Sequence, residues 1–215
     1  MKDDGAGDFD TFTYTGDNTD DKLVFSAFQP TFALIKSNFT IVGAEKFAGQ
    51  ASATGNPASN FASMLFQSGA ARADLMYFGS DGLRVSNGSG SGGNLVNQNA
   101  VAHFGFAFKD ATNIVTGSYT GNGTTQTITT PFKPIWINIH SIASRQPVMQ
   151  HNDQMASGNT NPFDGSQVTG KVSNASATGF DLSNSAEVNT NAESFYYVIL
   201  GANRTSFNYI TYRPP

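Results

Sequence analysis

The residues that could do chemistry in this chain are few and scattered. The histidines stand at His103, His140 and His151, and the glutamates at Glu45, Glu187 and Glu193. Metal sites usually show close ligand spacing, such as two histidines four apart on a helix. No pair here has it. His103 lies in an aromatic stretch and His140 ends an apolar one, and each histidine reads as satisfied or exposed rather than as a metal ligand. The densest polar group is His151-Asn152-Asp153. It reads as a loop, and it is the candidate site for an ion or a sugar.

Glycosidases place two carboxylates at a set separation. The glutamates are isolated, and many of the aspartates crowd the start of the chain, at Asp3, Asp4, Asp8, Asp10, Asp17, Asp20 and Asp21. Two glycine-rich runs imitate nucleotide motifs. Gly88-Ser89-Gly90-Ser91-Gly92-Gly93 fits G-x-G-x-x-G, but Asn94-Leu95-Val96-Asn97 follows where a helix must begin to hold a pyrophosphate. GSQVTGKV ends on Val172, where a phosphate loop needs Ser or Thr for magnesium. Neither is a phosphate site. No residue has a catalytic context, so the expectation is a non-enzyme without cofactor or metal.

Composition narrows the partners. Charged residues are 13% of the 215, and the net charge is −4. So weak a field attracts no phosphate backbone, and nucleic acid is not an expected partner. There is no cysteine, hence no disulfide and no thiolate chemistry. No apolar run approaches the ~20 residues of a membrane span. The opening MKDDGAGDFD has no apolar stretch of the signal-peptide kind. Asn-x-Ser/Thr triplets begin at Asn38, Asn87, Asn122, Asn174 and Asn203 and are read as a product of composition. The acidic start lacks apolar periodicity and alone would be mobile. Docking on a neighbouring subunit would order it, which makes Lys2, Asp3, Asp4, Asp8 and Asp10 candidate assembly contacts.

The elements that must position these residues are short strands. Gly at 22 and Phe at 18, with abundant Asn, Ser and Thr, favour strands joined by tight turns. The chain also repeats itself. Tyr14-Thr15-Gly16-Asp17 matches Tyr119-Thr120-Gly121-Asn122. Phe28-Gln29-Pro30 matches Phe132-Lys133-Pro134, each followed by an apolar strand, FALIK or IWINIH. Gly82-Leu83-Arg84-Val85-Ser86-Asn87 matches Gly179-Phe180-Asp181-Leu182-Ser183-Asn184. VNQNA, from Val96, matches VNTNA, from Val188, and each introduces an aromatic strand. The matches keep their order, which points to internal duplication with a domain-sized period. The expected fold is all-β, with two tandem antiparallel β-sandwich modules, jelly-roll-like, over 12–110 and 114–215, after an acidic arm over 1–11.

Finer expectations follow from the same patterns. Asn97, Asn99, Asn189 and Asn191 read as turn residues that tolerate φ > 0. Asn122-Gly123 reads as a hairpin turn. Phe104, Phe106 and Phe108 share one face and read as core, and Trp136 as core rather than a sugar platform. Tyr196 and Tyr197 must point to opposite faces, one of them outward. Asn60 to Phe66 could be a helical turn or a strand, and Ser206 to Tyr212 a last strand.

TGSYTGNGTTQTITTPFKPIWINIHS followed by ATGFDLSNSAEVNTNAESFYYVIL resembles a module recurrent in virion proteins of tailed bacteriophages. The shared pattern is T-G-x-Y-T-G-N-G, then F-x-P with an apolar strand, then G-F-x-L, then N-x-N-x with an aromatic strand. The second module matches along nearly its whole length. The first, Phe12 to Lys109, matches more loosely, with Asp17 in place of the Asn and a divergent middle. The resemblance implies a β-sandwich on the outside of a phage particle, in tail fibres, receptor-binding proteins or head decorations, and brings no catalytic residues with it. The expected partners are other virion proteins and further copies of the chain, as a trimer, with a bacterial surface glycan as an alternative ligand. Both modules fill the chain without a coiled-coil shaft, which favours a small subunit docked on the particle as a head decoration. The protein would be assembled in the bacterial cytoplasm without insertion into a membrane.

Overall fold

A computed structural model describes residues 7–37, 43–47, 63–65, 71–72, 75–86, 96–141, 149–155, 159–162 and 167–201. In chain order the first half forms β1 (Phe9–Thr15), β2 (Lys22–Phe25), β3 (Phe32–Ser37), β4 (Gly43–Phe47), β5 (Ser63–Leu65), β6 (Ala71–Arg72), β7 (Met76–Gly79), β8 (Gly82–Val85) and β9 (Ala102–Phe108). The second half forms β10 (Ile114–Thr120), β11 (Gln126–Thr129), β12 (Pro134–Ser141), β13 (Met149–Asn152), β14 (Asn159–Pro162), β15 (Val168–Thr169), β16 (Val172–Ser176), β17 (Gly179–Leu182), the single-turn helix α1 (Ala186–Asn189) and β18 (Ser194–Gly201). The fold is all-β, as the pattern of short apolar runs and turns predicts.

Each half is a sandwich of a six-stranded sheet and a three-stranded sheet. The first has the orders β1-β9-β3-β4-β5-β6 and β2-β8-β7; the second has β10-β18-β12-β13-β14-β15 and β11-β17-β16. Strand for strand the two orders are the same. All named pairings are antiparallel.

Among the described residues, three apolar clusters hold the sheets together. One lies inside the first sandwich, around Ala33, Ile35, Ala107, Leu83 and Met76. Another lies inside the second, around Ile137, Ile139, Ile199, Phe180 and Leu182. The third joins the two six-stranded sheets face to face: Phe9, Phe32, Leu34, Phe47 and Phe108 from one, Ile114, Ile135, Tyr196, Val198 and Leu200 from the other. The result is four stacked layers with the large sheets in the middle. Strand β3 shows why its sequence reads as a continuous apolar run. Phe32 and Leu34 face the joining cluster while Ala33 and Ile35 face the first sandwich's own core. A strand covered on both sides has no polar face. Each large side chain buried there contributes about 1.5–3 kcal/mol.

This stacking corrects the expectation for Tyr196 and Tyr197. They do point to opposite faces, but neither face is open: Tyr196 is buried in the joining cluster, and Tyr197 is half-buried against the second sandwich's core. Trp136 packs against the joining cluster beside Ile135, because β12 shifts register between Pro134 and Trp136. Phe108 is buried and Phe106 half-buried as expected. Phe104 is not core: half of its surface is exposed, and it has no place in the cluster that joins the sandwiches.

Asn122-Gly123 is not a hairpin turn either. Strands β10 and β11 belong to different sheets, and the segment between them is a crossover. Phe9, Asp10 and Thr11 lie in β1 and belong to the sheet rather than to an arm. Ser63–Leu65, inside the ambiguous NFASMLF stretch, is a strand. The rest of that stretch, Ser206 to Tyr212 and the Gly88 to Gly93 run lie outside the described residues. After Gly170 the chain enters β16, not the helix a phosphate loop needs.

Candidate functional site

The expected ligand loop does not exist as a unit. His151 is on β13, paired with Ile137, and buried on the same side as Met149. Its Nδ1 lies 2.6 Å from the carbonyl of Asn159 on β14. Asn152 ends the strand and shapes the next turn: its Oδ1 accepts from the Gln154 N–H at 3.0 Å and its carbonyl from Met155 N–H at 3.1 Å. Asp153 is exposed, and its N–H donates to Ile135. The three neighbours therefore do three separate jobs. MQHN does not look like a strand because three of its four residues are polar, yet it pairs along β12 with Trp136, Ile137, Asn138 and Ile139.

The position of His151 has a counterpart that sequence reasoning missed. Lys46 on β4 pairs with Ala33, as His151 pairs with Ile137, and Ala33 and Ile137 occupy the same place in the two central sheets. Lys46 is buried, with Nζ 5.5 Å from the centre of the Phe78 ring. Burial pushes its pKa down to about 8. The only signal in sequence was a lysine on the same side of a strand as Ala44.

Of the expected assembly contacts, Lys2, Asp3 and Asp4 lie outside the described residues. Asp8 is buried, and its carbonyl accepts from Lys109 N–H at 2.8 Å. Asp10 is half-buried, and its Oδ1 accepts from the Thr11 N–H at 2.7 Å on the edge strand β1. The acids that follow are tied down as well. Asp17 bonds Lys22 at 2.5 Å and Thr19 at 2.7 Å. These bonds, Lys22 first, hold its carboxyl well below the usual carboxylate range. Arg84 pairs with Asp81 at 2.6 Å and Asp21 at 3.0 Å, and Ser86 donates to Asp20 at 2.6 Å. Among the described residues no group of three His, Cys, Asp or Glu could hold a metal ion.

Two further polar clusters are staples built from the repeated phrase. Asn97 is buried. Its Nδ2 donates to the Thr19 carbonyl at 2.7 Å and to Asp17 Oδ1 at 3.2 Å, and its Oδ1 accepts from Asp17 N–H at 3.2 Å. Asn189 repeats this with Thr124 and Asn122. Above each staple a tyrosine hydroxyl, Tyr14 or Tyr119, donates to the carbonyl of Val96 or Val188. Burial raises both tyrosines' pKa values far above the ordinary one. Each ring is stacked, Tyr14 on His103 at 4.9 Å and Tyr119 on Phe195 at 5.1 Å. His103 thus fills an aromatic place, and its Nδ1 lies 3.0 Å from the Val101 carbonyl. His140 is buried on β12 opposite Tyr196. Asn97 and Asn189 are structural, but they bond a distant turn rather than their own. The positive φ falls on Ala100 (59°) and Ala192 (61°), not on any of the four asparagines.

Among the described residues, two large apolar side chains stand open at the surface. Leu23 is 41% and Phe104 50% exposed. Leu23 lines an open groove of about 370 Å³ between β1 and β2, with Asp10, Phe12 and Phe25. Phe104 stands on the face of the first six-stranded sheet, between Thr13 on β1 and Lys36 on β3.

No protein-family model, curated protein or solved structure matches this chain.

Proposed function

We propose that this chain is a non-enzymatic structural protein of the outer surface of a tailed-bacteriophage virion, docked on the particle as a head decoration or cement subunit. One observation carries the reading: the two sandwiches are fused into a single block. The junction has no hinge. Lys109 N–H bonds Asp8, Ala111 and Ile114 bond each other in both directions, and Gly201 N–H bonds Asn113. The Asp110 carboxylate accepts from Thr31 Oγ1 at 2.9 Å on one side and Thr116 N–H at 2.9 Å on the other. A stack of four sheets with its polar groups spent on internal turns suits a load-bearing part. The matched strand orders and twin staples support an origin by duplication, and the motif pattern of the second half supports a virion setting. A cement subunit on threefold positions would be a trimer.

A tail-fibre or tail-tip protein binding a bacterial surface glycan is the second reading, and the exposed Phe104 ring favours it. The docking reading is tested by adding back. Particles made without the protein should bind purified chain to saturation and regain resistance to heat. Particles that ignore the added chain, or are equally resistant without it, contradict it.

A further inference from the structure

Phe104 differs from an ordinary exposed apolar residue. It is on β9, an interior strand, with β1 and β3 on either side. Its ring therefore stands in the middle of a sheet face and not at a margin. The same face carries Thr11, Thr13 and Thr15 along β1, all exposed. Towards Phe106 and Phe108 it runs into the cluster that joins the sandwiches. The second sandwich shows that the fold does not require a bare ring here. Tyr196 has the place of Phe104, and it is 7% exposed, with its ring 6.0 Å from that of Phe47.

Size decides what could cover it. Three strands about 4.8 Å apart and five residues at about 3.3 Å each give a patch on the order of 200 Å². A standard protein partner needs about 800 Å² per side. A second copy or another virion protein seated on this patch alone would be far too weakly held. A short saccharide matches it. A pyranose ring presents a face of C–H bonds, whose slightly positive hydrogens suit the negative face of an aromatic ring. Its hydroxyls need partners that both donate and accept, as threonine hydroxyls do. No carboxylate belongs to the Thr11–Thr15 row, and Lys36, on the far flank, is already engaged.

We infer that the Phe104 face is a binding site for a neutral glycan, with a sugar ring stacked on Phe104 and hydrogen-bonded by Thr13 and Thr11. This holds wherever the chain sits on a particle, and it does not depend on the docking reading.

The test is affinity electrophoresis of the full chain in gels containing dextran, mannan or galactan. At least one of these should retard the wild type. Phe104→Ala should weaken the retardation at least about tenfold and Phe104→Tyr, which keeps the ring, should preserve it. Thr13→Val should weaken it several-fold, and Asp153→Ala, in the exposed turn after β13 of the second sandwich, should leave it unchanged. Thermal melts of the variants establish that each is folded. Three results overturn the assignment: no retardation by any of the three polysaccharides, retardation that survives Phe104→Ala in a folded variant, or a sedimentation change showing that Phe104→Ala dissociates copies of the chain.

Discussion

Tyr197 covers Gly117 from the neighbouring strand. A β-carbon on Gly117 would lie 2.4 Å from the tyrosine oxygen and 2.5 Å from Cζ, so the ring holds the space that any side chain there would take. The two residues are direct partners across β10 and β18. In the first sandwich the equivalent pair is Phe12 and Gly105, with the aromatic now on the edge strand and the glycine on the inner one. One aromatic and one glycine share one volume, and either strand can supply the ring.

That exchange makes a prediction. Gly117→Ala should destabilise by about 1–3 kcal/mol, the usual cost of overpacking. Gly117→Phe alone should do worse. Gly117→Phe combined with Tyr197→Gly rebuilds the first sandwich's arrangement and should recover most of the loss. Urea unfolding of the two single variants and the double variant gives a coupling energy; a value near zero would show that the ring and the glycine do not share space.

The staples make a second. Asn97→Ala leaves the Thr19 carbonyl and the Asp17 N–H without their partner, and Asn189→Ala does the same at Thr124 and Asn122. Each should cost about 1–3 kcal/mol by chemical denaturation. Because the sites are separate, the double variant should lose close to the sum. Asn99→Ala and Asn191→Ala, outside the staples, should change stability much less.

Lys46 gives a pH signature. Its folded pKa is lowered to about 8, against about 10.4 in an unfolded chain. Between these values the unfolded chain holds more protons than the folded one, so stability rises with pH across that window. Below the folded value the whole cost of a buried cation is present. Lys46→Met should therefore stabilise at neutral pH, by an amount on the order of 3 kcal/mol, and the gain should fade towards pH 10. A stability difference that is flat with pH would remove the buried-cation account.

The junction can be loosened at one residue. Asp110 bridges Thr31 and Thr116, so Asp110→Ala removes bonds to both sandwiches. Proteolysis should then cut the 109–113 segment faster, while the melting of the block, held by the aromatic cluster, changes little. Phe9→Ala in that cluster should cost about 3–5 kcal/mol instead.

Much of the fold was legible because local chemistry fixed it. Phe-x-Pro before an apolar run, Tyr-Thr-Gly before a turn, and the VNxNA phrase each specify their own backbone. What could not be read was reach. Alternation in SFYYVIL shows two faces but not that both are covered, and alternation in AHFGFAF does not show that Phe104 is left exposed. Asn122-Gly123 has the residues of a hairpin; the buried Asn189 amide instead fastens that segment to a turn distant in sequence. His151 reads as loop because strand β13 is polar, and Lys46 gives no sign of burial beyond sharing a strand face with Ala44. The candidate site suffered most. The group singled out for ligands is divided between a strand and a turn, and the ring now assigned to a ligand is one that alternation puts in the core.

The proposed role stands or falls on place. Immunogold labelling of intact particles with antibody against this chain should put gold over the head. Gold confined to the tail would contradict the head-decoration reading, and particles that bind no gold at all would contradict a virion role altogether.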